Sequence, residues 1–220
     1  MSRDLDLVAM GAWQAGGVTT VGLVLAAGAG RRMGGPKALV RLTDGGPTLV
    51  ETSVQRVRDA GCDRVVVVVG AAAQEVSDAV SHSGVDIVTA ADWDEGMGAS
   101  LRAGLTHLVA GDDDLALVTL VDLPDVTTAV MARVLHAAST GTTTRGGARA
   151  ALARAAYDGV PGHPVVLGRE HWAAVRDTAV GDRGARDHLK ATPHLLVECG
   201  DLATGRDVDT TSDLERETRR

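Results

Sequence analysis

Val21-Gly22-Leu23-Val24-Leu25-Ala26-Ala27-Gly28-Ala29-Gly30-Arg31-Arg32-Met33-Gly34-Gly35-Pro36-Lys37 is the stretch that decides how this chain reads. Its apolar run, Val21–Ala26, leads straight into a loop rich in glycine and cations. A strand that is apolar on both faces belongs in a sheet covered by helices on either side. In such a sheet ligands collect beyond the carboxyl ends of the strands, where this loop would lie. Gly28, Gly30, Gly34 and Gly35 let the backbone approach a ligand closely. Successive N–H groups can then cradle phosphate oxygens, with Arg31, Arg32 and Lys37 adding positive charge.

Spacing rules out two familiar phosphate loops. In a GxxxxGK[ST] loop, Gly30 and Gly35 would be the glycines, but Pro36 stands where the lysine is needed. In a GxGxxG fingerprint, Gly28 and Gly30 fit, but Met33 occupies the third glycine position.

Outward from this loop the pattern alternates. Apolar runs at Arg64–Val69, Val85–Ala90 and Leu115–Val121 predict further strands. Thr48–Ala60, Ala71–Ser81, Met97–Val109 and Thr127–Ala138 read as the helices between them. Such alternation predicts an α/β protein, a three-layer α/β/α Rossmann-like arrangement around a mostly parallel sheet. After Ala138 the rhythm changes. Thr140–Gly147 reads as a loop, Ala148–Ala156 and Pro164–Leu167 as strands, and Arg169–Asp177 and Arg183–Lys190 as short helices. Leu195–Glu198 reads as a last strand and Thr211–Thr218 as a closing helix. Residues 1–19 are expected to form a flexible leader, and residues 20–220 one domain with a continuous core.

Composition narrows the function classes. The chain has 220 residues, a net charge of −7 and 2% aromatic residues with no Phe, so its core must rest on Val, Leu and Ala. It lacks both the basic footprint of a nucleic-acid binder and aromatic platforms for stacking single strands. The two cysteines, Cys62 and Cys199, form no CxxC pair, which argues against a zinc site or disulfide framework. With no signal peptide and no apolar run of membrane length, the expected location is the cytoplasm.

The pattern LAAGxGxRMGxPK across Leu25–Lys37 resembles the signature loop of the MobA-like nucleotidyltransferases, and most of all their molybdenum cofactor cytidylyltransferase branch. Other segments resemble that branch in the same order. They are Gly96–Leu105 (GMxxSLRAGL), Val121–Pro124 (D-x-P), Gly162–Leu167 (GHPVLF), Gly181–Arg186 (GDKGAR) and Asp207–Thr210 (DxDT). Gly98 and Ala99 depart from the serine common in the branch.

The resemblance implies a nucleotidyltransferase fold and the transfer of CMP from CTP to the phosphate of molybdopterin, with release of pyrophosphate. It implies a nucleotide site at Leu25, Ala26, Ala27, Gly28, Gly30, Arg32, Lys37 and Ser100. Lys37, Arg32 and Asp122 would be catalytic, Lys37 on the α-phosphate and Arg32 on the β- and γ-phosphates. Asp122 and Asp209 would hold Mg²⁺, with Asp207 close enough to replace Asp209. Ala27, where the guanylyl-transferring branch has glycine, favours CTP. Plainer roles stay open: Asp122 as a turn or helix cap, Ser100 as a cap, and Arg31 as a solvated cation. His163, Arg183 and Arg186 could contact the acceptor or serve only the structure. A molybdoenzyme could receive the product, and no nucleic acid or membrane partner is expected.

Three other functions fit the same residues. The acceptor could be a sugar phosphate, a polyol phosphate or another small phosphorylated metabolite. Proteins resembling this family include nicotine blue oxidoreductases, which use NAD(P)H, although Met33 argues against a dinucleotide crevice. A cofactor-binding insertion factor is the third, but it would be free to lose Lys37, Asp122 and Asp209.

Overall fold

The computed structural model describes residues 17–140 and 147–218. Most of the expected leader therefore lies outside the described residues, as do positions 141–146 of the expected Thr/Gly loop. Thr19 is already tied to the fold: its N–H donates to Asp114 Oδ2 at 3.0 Å.

A seven-stranded sheet runs β3-β2-β1-β4-β6-β5-β7. The strands are β1 (Thr20–Leu25), β2 (Arg64–Val69), β3 (Asp86–Thr89), β4 (Leu115–Leu120), β5 (Leu152–Tyr157), β6 (Val160–Gly168) and β7 (Leu195–Glu198). All neighbours are parallel except the two pairs made by β6. The helices are α1 (Leu49–Asp59), α2 (Ala73–Val80), α3 (Met97–Val109), α4 (Thr128–Thr140), α5 (Arg169–Thr178), α6 (Arg186–Ala191) and α7 (Thr211–Thr218). Among the described residues no helix is long and apolar enough to cross a membrane.

Successive strand residues point to opposite faces, and the core divides accordingly. Val24, Val65, Val67, Leu117 and Val166 pack beneath α1, α2 and α4. Leu23, Leu25, Val66, Val68, Val118 and Val165 pack beneath α3, α5 and α6, with Trp172 fully enclosed. Small residues let the layers close without Phe. A Cβ on Gly104 of α3 would lie 2.7 Å from Leu23 Cδ1. Helix α1 starts at a capping box, in which Thr48 and Glu51 satisfy each other's N–H groups.

Several boundaries differ from the sequence reading. Strand β6 starts at Val160, not Pro164, because the chain turns tightly at Asp158 (φ 51°) and Gly159 (φ 78°) and pairs back on β5. The expected strand from Ala148 begins instead as a 3-10 turn, Gly147–Ala150. The expected helix Arg183–Lys190 is interrupted at Gly184 (φ 50°, ψ −126°), so Arg183 falls in a 3-10 turn and α6 begins at Arg186.

Candidate active site

The carboxyl ends of β1 and β4 open into a cleft of about 470 Å³. Its first wall is the loop after β1. There the chain folds back on one carbonyl: Met33 N–H (2.8 Å) and Gly35 N–H (3.3 Å) both donate to Gly30 O. Gly30 has φ 59°, and a Cβ there would sit 1.9 Å from Gly35 O, so only glycine fits. This fold leaves a run of donors free. Among the described residues, the N–H groups of Gly28, Ala29, Gly30, Arg31 and Arg32 donate to no protein acceptor.

Acidic groups form the floor. Asp122 lies two residues beyond the end of β4, and its backbone O accepts from Val208 N–H at 2.9 Å, which ties the late segment to the sheet edge. Val208 is buried and flanked by Asp207 and Asp209. Asp122, Asp207 and Asp209 each offer a carboxylate oxygen, all within 4.8 Å of one another. Asp122 Oδ1 is buried and has no hydrogen-bond partner, a costly state unless something else binds it.

The cations already face this floor. Lys37 Nζ donates to Asp122 Oδ2 at 2.8 Å and also to Asp209 Oδ1. Arg32 Nη1 donates to Asp209 Oδ2 at 2.8 Å. Burial alone would lower the Lys37 ammonium, but hydrogen bonds to Asp122 and Asp209 outweigh it and hold the pKa above the ordinary lysine value. The hydrogen bond from Lys37, with the charges of Lys37 and Arg32 behind it, holds Asp209 below the usual carboxylate range despite partial burial.

The fit to a divalent cation is good. Hard oxygen ligands suit Mg²⁺ or Mn²⁺, one or two carboxylates suffice for Mg²⁺, and the orphaned Asp122 oxygen supplies an open coordination point.

Leu25, Ala27, Gly28, Gly30, Arg31, Arg32, Lys37, Ser100, Asp122 and Asp209 all line the cleft. Ala26 does not; it is buried in the core, with its N–H on Val68 O at 2.8 Å. His163 lies beside the cleft, in a small hollow shared with Leu25, Met97, Gly184 and Ala185. Arg183 Nη1 pairs with Asp187 at 2.9 Å, one helical turn on. Arg186 is exposed at the start of α6.

The cleft also holds Trp93 and Asp94, which the sequence reading passed over, and Gly96, Met97 and Asp182, which it placed in family-like segments without a site role. One signal was available for Trp93, which is a rare aromatic in this chain placed between β3 and α3, at the ligand edge. Asp182 stood within the GDKGAR-like segment, but it reaches the cleft through the turn after α5, which packs on the start of α3.

Comparison with known proteins identifies the family and the fold. The family model described as the MobA-like NTP transferase domain matches residues 22–196. The chain is 39% identical over 205 residues to nicotine blue oxidoreductase of Paenarthrobacter nicotinovorans, spanning 89% of this chain and 94% of that protein. Among solved structures it is similar to Rv0371c of Mycobacterium tuberculosis H37Rv (TM-score 0.73, 28% identity, 93% and 100% coverage). Rv0371c has also been solved in complex with manganese. A nucleotidyl transferase from Methanothermobacter thermautotroptrophicus aligns with TM-score 0.73 and 25% identity, over 92% of this chain and 97% of that one.

Proposed function

We propose that this chain, which belongs to the MobA-like NTP transferase family, transfers CMP from CTP to the phosphate of a molybdopterin-type acceptor. The observation that carries the reading is the meeting of Asp122, Asp207 and Asp209 with Lys37 and Arg32 across from a loop of unpaired N–H groups.

The residues divide the work as follows. The N–H groups of Gly28–Arg32 hold the triphosphate oxygens. Asp122 and Asp209 would hold Mg²⁺, with Asp207 completing the set. When bound, the ion would neutralise phosphoryl oxygens and the leaving pyrophosphate. Lys37 and Arg32, held on the carboxylates until then, turn to the phosphates, Lys37 to the α-phosphate and Arg32 to the β- and γ-phosphates. There they stabilise charge that grows during transfer. The acceptor phosphate oxygen attacks the α-phosphorus in line; the bond to the β-phosphate bridging oxygen breaks, and pyrophosphate leaves. Ser100, on the first turns of α3, faces the base, and Trp93 offers a surface for it. His163, Arg183 and Arg186 are the acceptor-side candidates. A cytoplasmic location suits a reaction between CTP and a small phosphorylated cofactor.

A second reading rests on the 39% identity to nicotine blue oxidoreductase: reduction of a quinonoid dye by NAD(P)H. Pyrophosphate release and NADPH absorbance, each followed with and without Mg²⁺, separate the two. The transferase reading expects Mg²⁺-dependent pyrophosphate from CTP plus acceptor and no NADPH oxidation. Metal-independent NADPH oxidation without pyrophosphate would replace it.

A further inference from the structure

The three carboxylates of the cleft floor come from two stretches far apart in sequence. Asp122 stands at the sheet edge, whereas Asp207 and Asp209 lie in residues 203–210, which form neither helix nor strand. Such a stretch has no ladder of its own to fix it, and ordering it is entropically costly. Its two acids nonetheless bring carboxylate oxygens within 4.8 Å of one another and of Asp122. The backbone must be held on either side.

Asp213 holds the downstream end. Its Oδ2 accepts from Thr210 N–H at 2.8 Å and from Thr210 Oγ1 at 2.7 Å. In return Asp213 N–H donates to Thr210 Oγ1 at 3.2 Å, which makes a capping box at the start of α7. The same Oδ2 also accepts from Asp209 N–H, at 3.2 Å. That bond sets this cap apart from the box at α1, where Pro47 precedes Thr48 and has no N–H to offer. Here a helix cap reaches back to the main chain of a candidate metal ligand.

Asp125 holds the upstream end. Its Oδ2 accepts from Thr204 N–H at 2.7 Å and from Thr204 Oγ1 at 2.6 Å. Asp125 is bracketed in turn by Arg56 of α1, whose Nη1 donates to Pro124 O at 2.7 Å and Val126 O at 3.2 Å. Between the two acids, buried Val208 gives its N–H to Asp122 O. The segment is therefore pinned at three points, and Asp207 and Asp209 flank the middle one.

Among the described residues, neither Asp125 nor Asp213 lines the cleft or joins the carboxylate group. The carboxylate of Asp209 is engaged by Lys37 and Arg32. When those cations turn to phosphate, the main chain alone aims it. We infer that Asp125 and Asp213 are positioning residues of the metal site, fixing both ends of the 204–210 segment so that Asp207 and Asp209 meet Asp122. This rests on the transferase reading for the metal at Asp122 and Asp209, but not for the nucleotide or the acceptor. Groups that orient metal ligands from behind are worth about 10- to 100-fold in metal affinity.

The test uses the full chain without nucleotide, Mn²⁺ as the probe, and the EPR signal of unbound Mn²⁺ as the readout. Asp213→Ala and Asp125→Ala should each weaken Mn²⁺ binding by about 10- to 100-fold. Asp213→Glu should restore most of it, because glutamate at the third helical position makes the same reciprocal cap. Arg216→Ala removes only the outer partner of Asp213 and should bind Mn²⁺ like the wild type. Each variant is measured well below its melting temperature, which separates a displaced ligand from a helix that has lost stability. In turnover, Asp213→Ala should raise the KM for Mg²⁺ while kcat at saturating Mg²⁺ stays near the wild-type value. Folded Asp213→Ala and Asp125→Ala proteins that bind Mn²⁺ like the wild type would overturn the proposal. So would an Arg216→Ala variant that binds as weakly as Asp213→Ala. If Asp213→Ala does not fold, Asp213→Asn, which loses the charge but keeps an acceptor, takes its place in the comparison. Mn²⁺ binding that survives Asp122→Asn would instead defeat the metal site, and the transferase reading with it.

Discussion

The two ends of the ligand edge manage charge in opposite ways. Around β1 and β4, cations and carboxylates neutralise each other: Lys37 on Asp122 and Asp209, and Arg32 on Asp209. Around β5 and β6, Arg154 donates to the Gly162 carbonyl, and neither Arg154 nor Arg186 makes an ion pair among the described residues. The first arrangement suits exchange. A metal–triphosphate complex brings both signs of charge, so each protein partner can trade its neighbour for an opposite charge on the ligand at little net electrostatic cost. The second leaves an arginine served by a backbone carbonyl alone. The difference teaches that charge held ready for exchange is marked by internal pairing across a cleft, whereas an arginine without an acid can be held by the backbone alone.

The sharpest way to break the comparison is to spoil the paired end. Asp122→Asn should reduce Mg²⁺-dependent pyrophosphate release at least about 10³-fold while the protein stays folded, because several kcal/mol of charge stabilisation depend on the ion it holds. Normal turnover by this variant would remove Asp122 from the metal site. Next in size, Lys37→Ala should lower kcat by about 10²–10³. Arg32→Ala should instead raise the KM for CTP, by about 10-fold, since it grips the outer phosphates. Small and equal effects from both would mean that they are only surface cations paired to acids.

A smaller effect is expected from the loop backbone. Gly30→Ala must place a side chain in the left-handed region, at about 1–2 kcal/mol, and against Gly35 O. Thermal melts should show a lower Tm, and calorimetry a weaker CTP affinity. An unchanged affinity would mean that the fold-back on the Gly30 carbonyl is irrelevant to phosphate binding.

The smallest effect belongs to the unpaired end. Above pH 6.5 His163 is neutral whether the chain is folded or not. Below that, the unfolded chain takes up a proton that the folded chain refuses until about pH 4, so stability falls as pH falls through this window. His188, held low by burial and by His171, adds to the same slope. Denaturant melts from pH 7 to 4 should show a shallower decline for His163→Gln. Identical slopes would place His163 in an ordinary solvated setting.

The paired end was largely legible in the sequence. A β-branched run ending in glycines and cations fixes a strand, its edge and a phosphate loop from local chemistry alone. Asp122 follows from the end of an apolar strand. Asp209 and Asp207 were reached only through resemblance, because their approach to Asp122 depends on Val208 anchoring a distant segment. The unpaired end was much less legible. Asp158-Gly159 is a strong signal for a two-residue hairpin, yet the strand was expected only from Pro164, so the start of β6 and its return onto β5 went unread. Without that hairpin, Arg154 is only one more arginine. Its lack of an acidic partner is a tertiary fact that no local pattern records. Trp93 was missed, and Asp182 was given no role, for the same reason, since each joins the cleft through the turns packed around the start of α3.

The central claim is that the Asp122–Asp209 floor and the Gly28–Lys37 loop carry out nucleotidyl transfer. The most direct test is ³¹P NMR of purified protein incubated with CTP, Mg²⁺ and a molybdopterin-type phosphate acceptor. The account predicts free pyrophosphate appearing together with a new diphosphate linkage on the acceptor, both lost when Mg²⁺ is chelated. Unchanged phosphorus spectra, with NADPH consumed at the same rate whether or not Mg²⁺ is present, would contradict it.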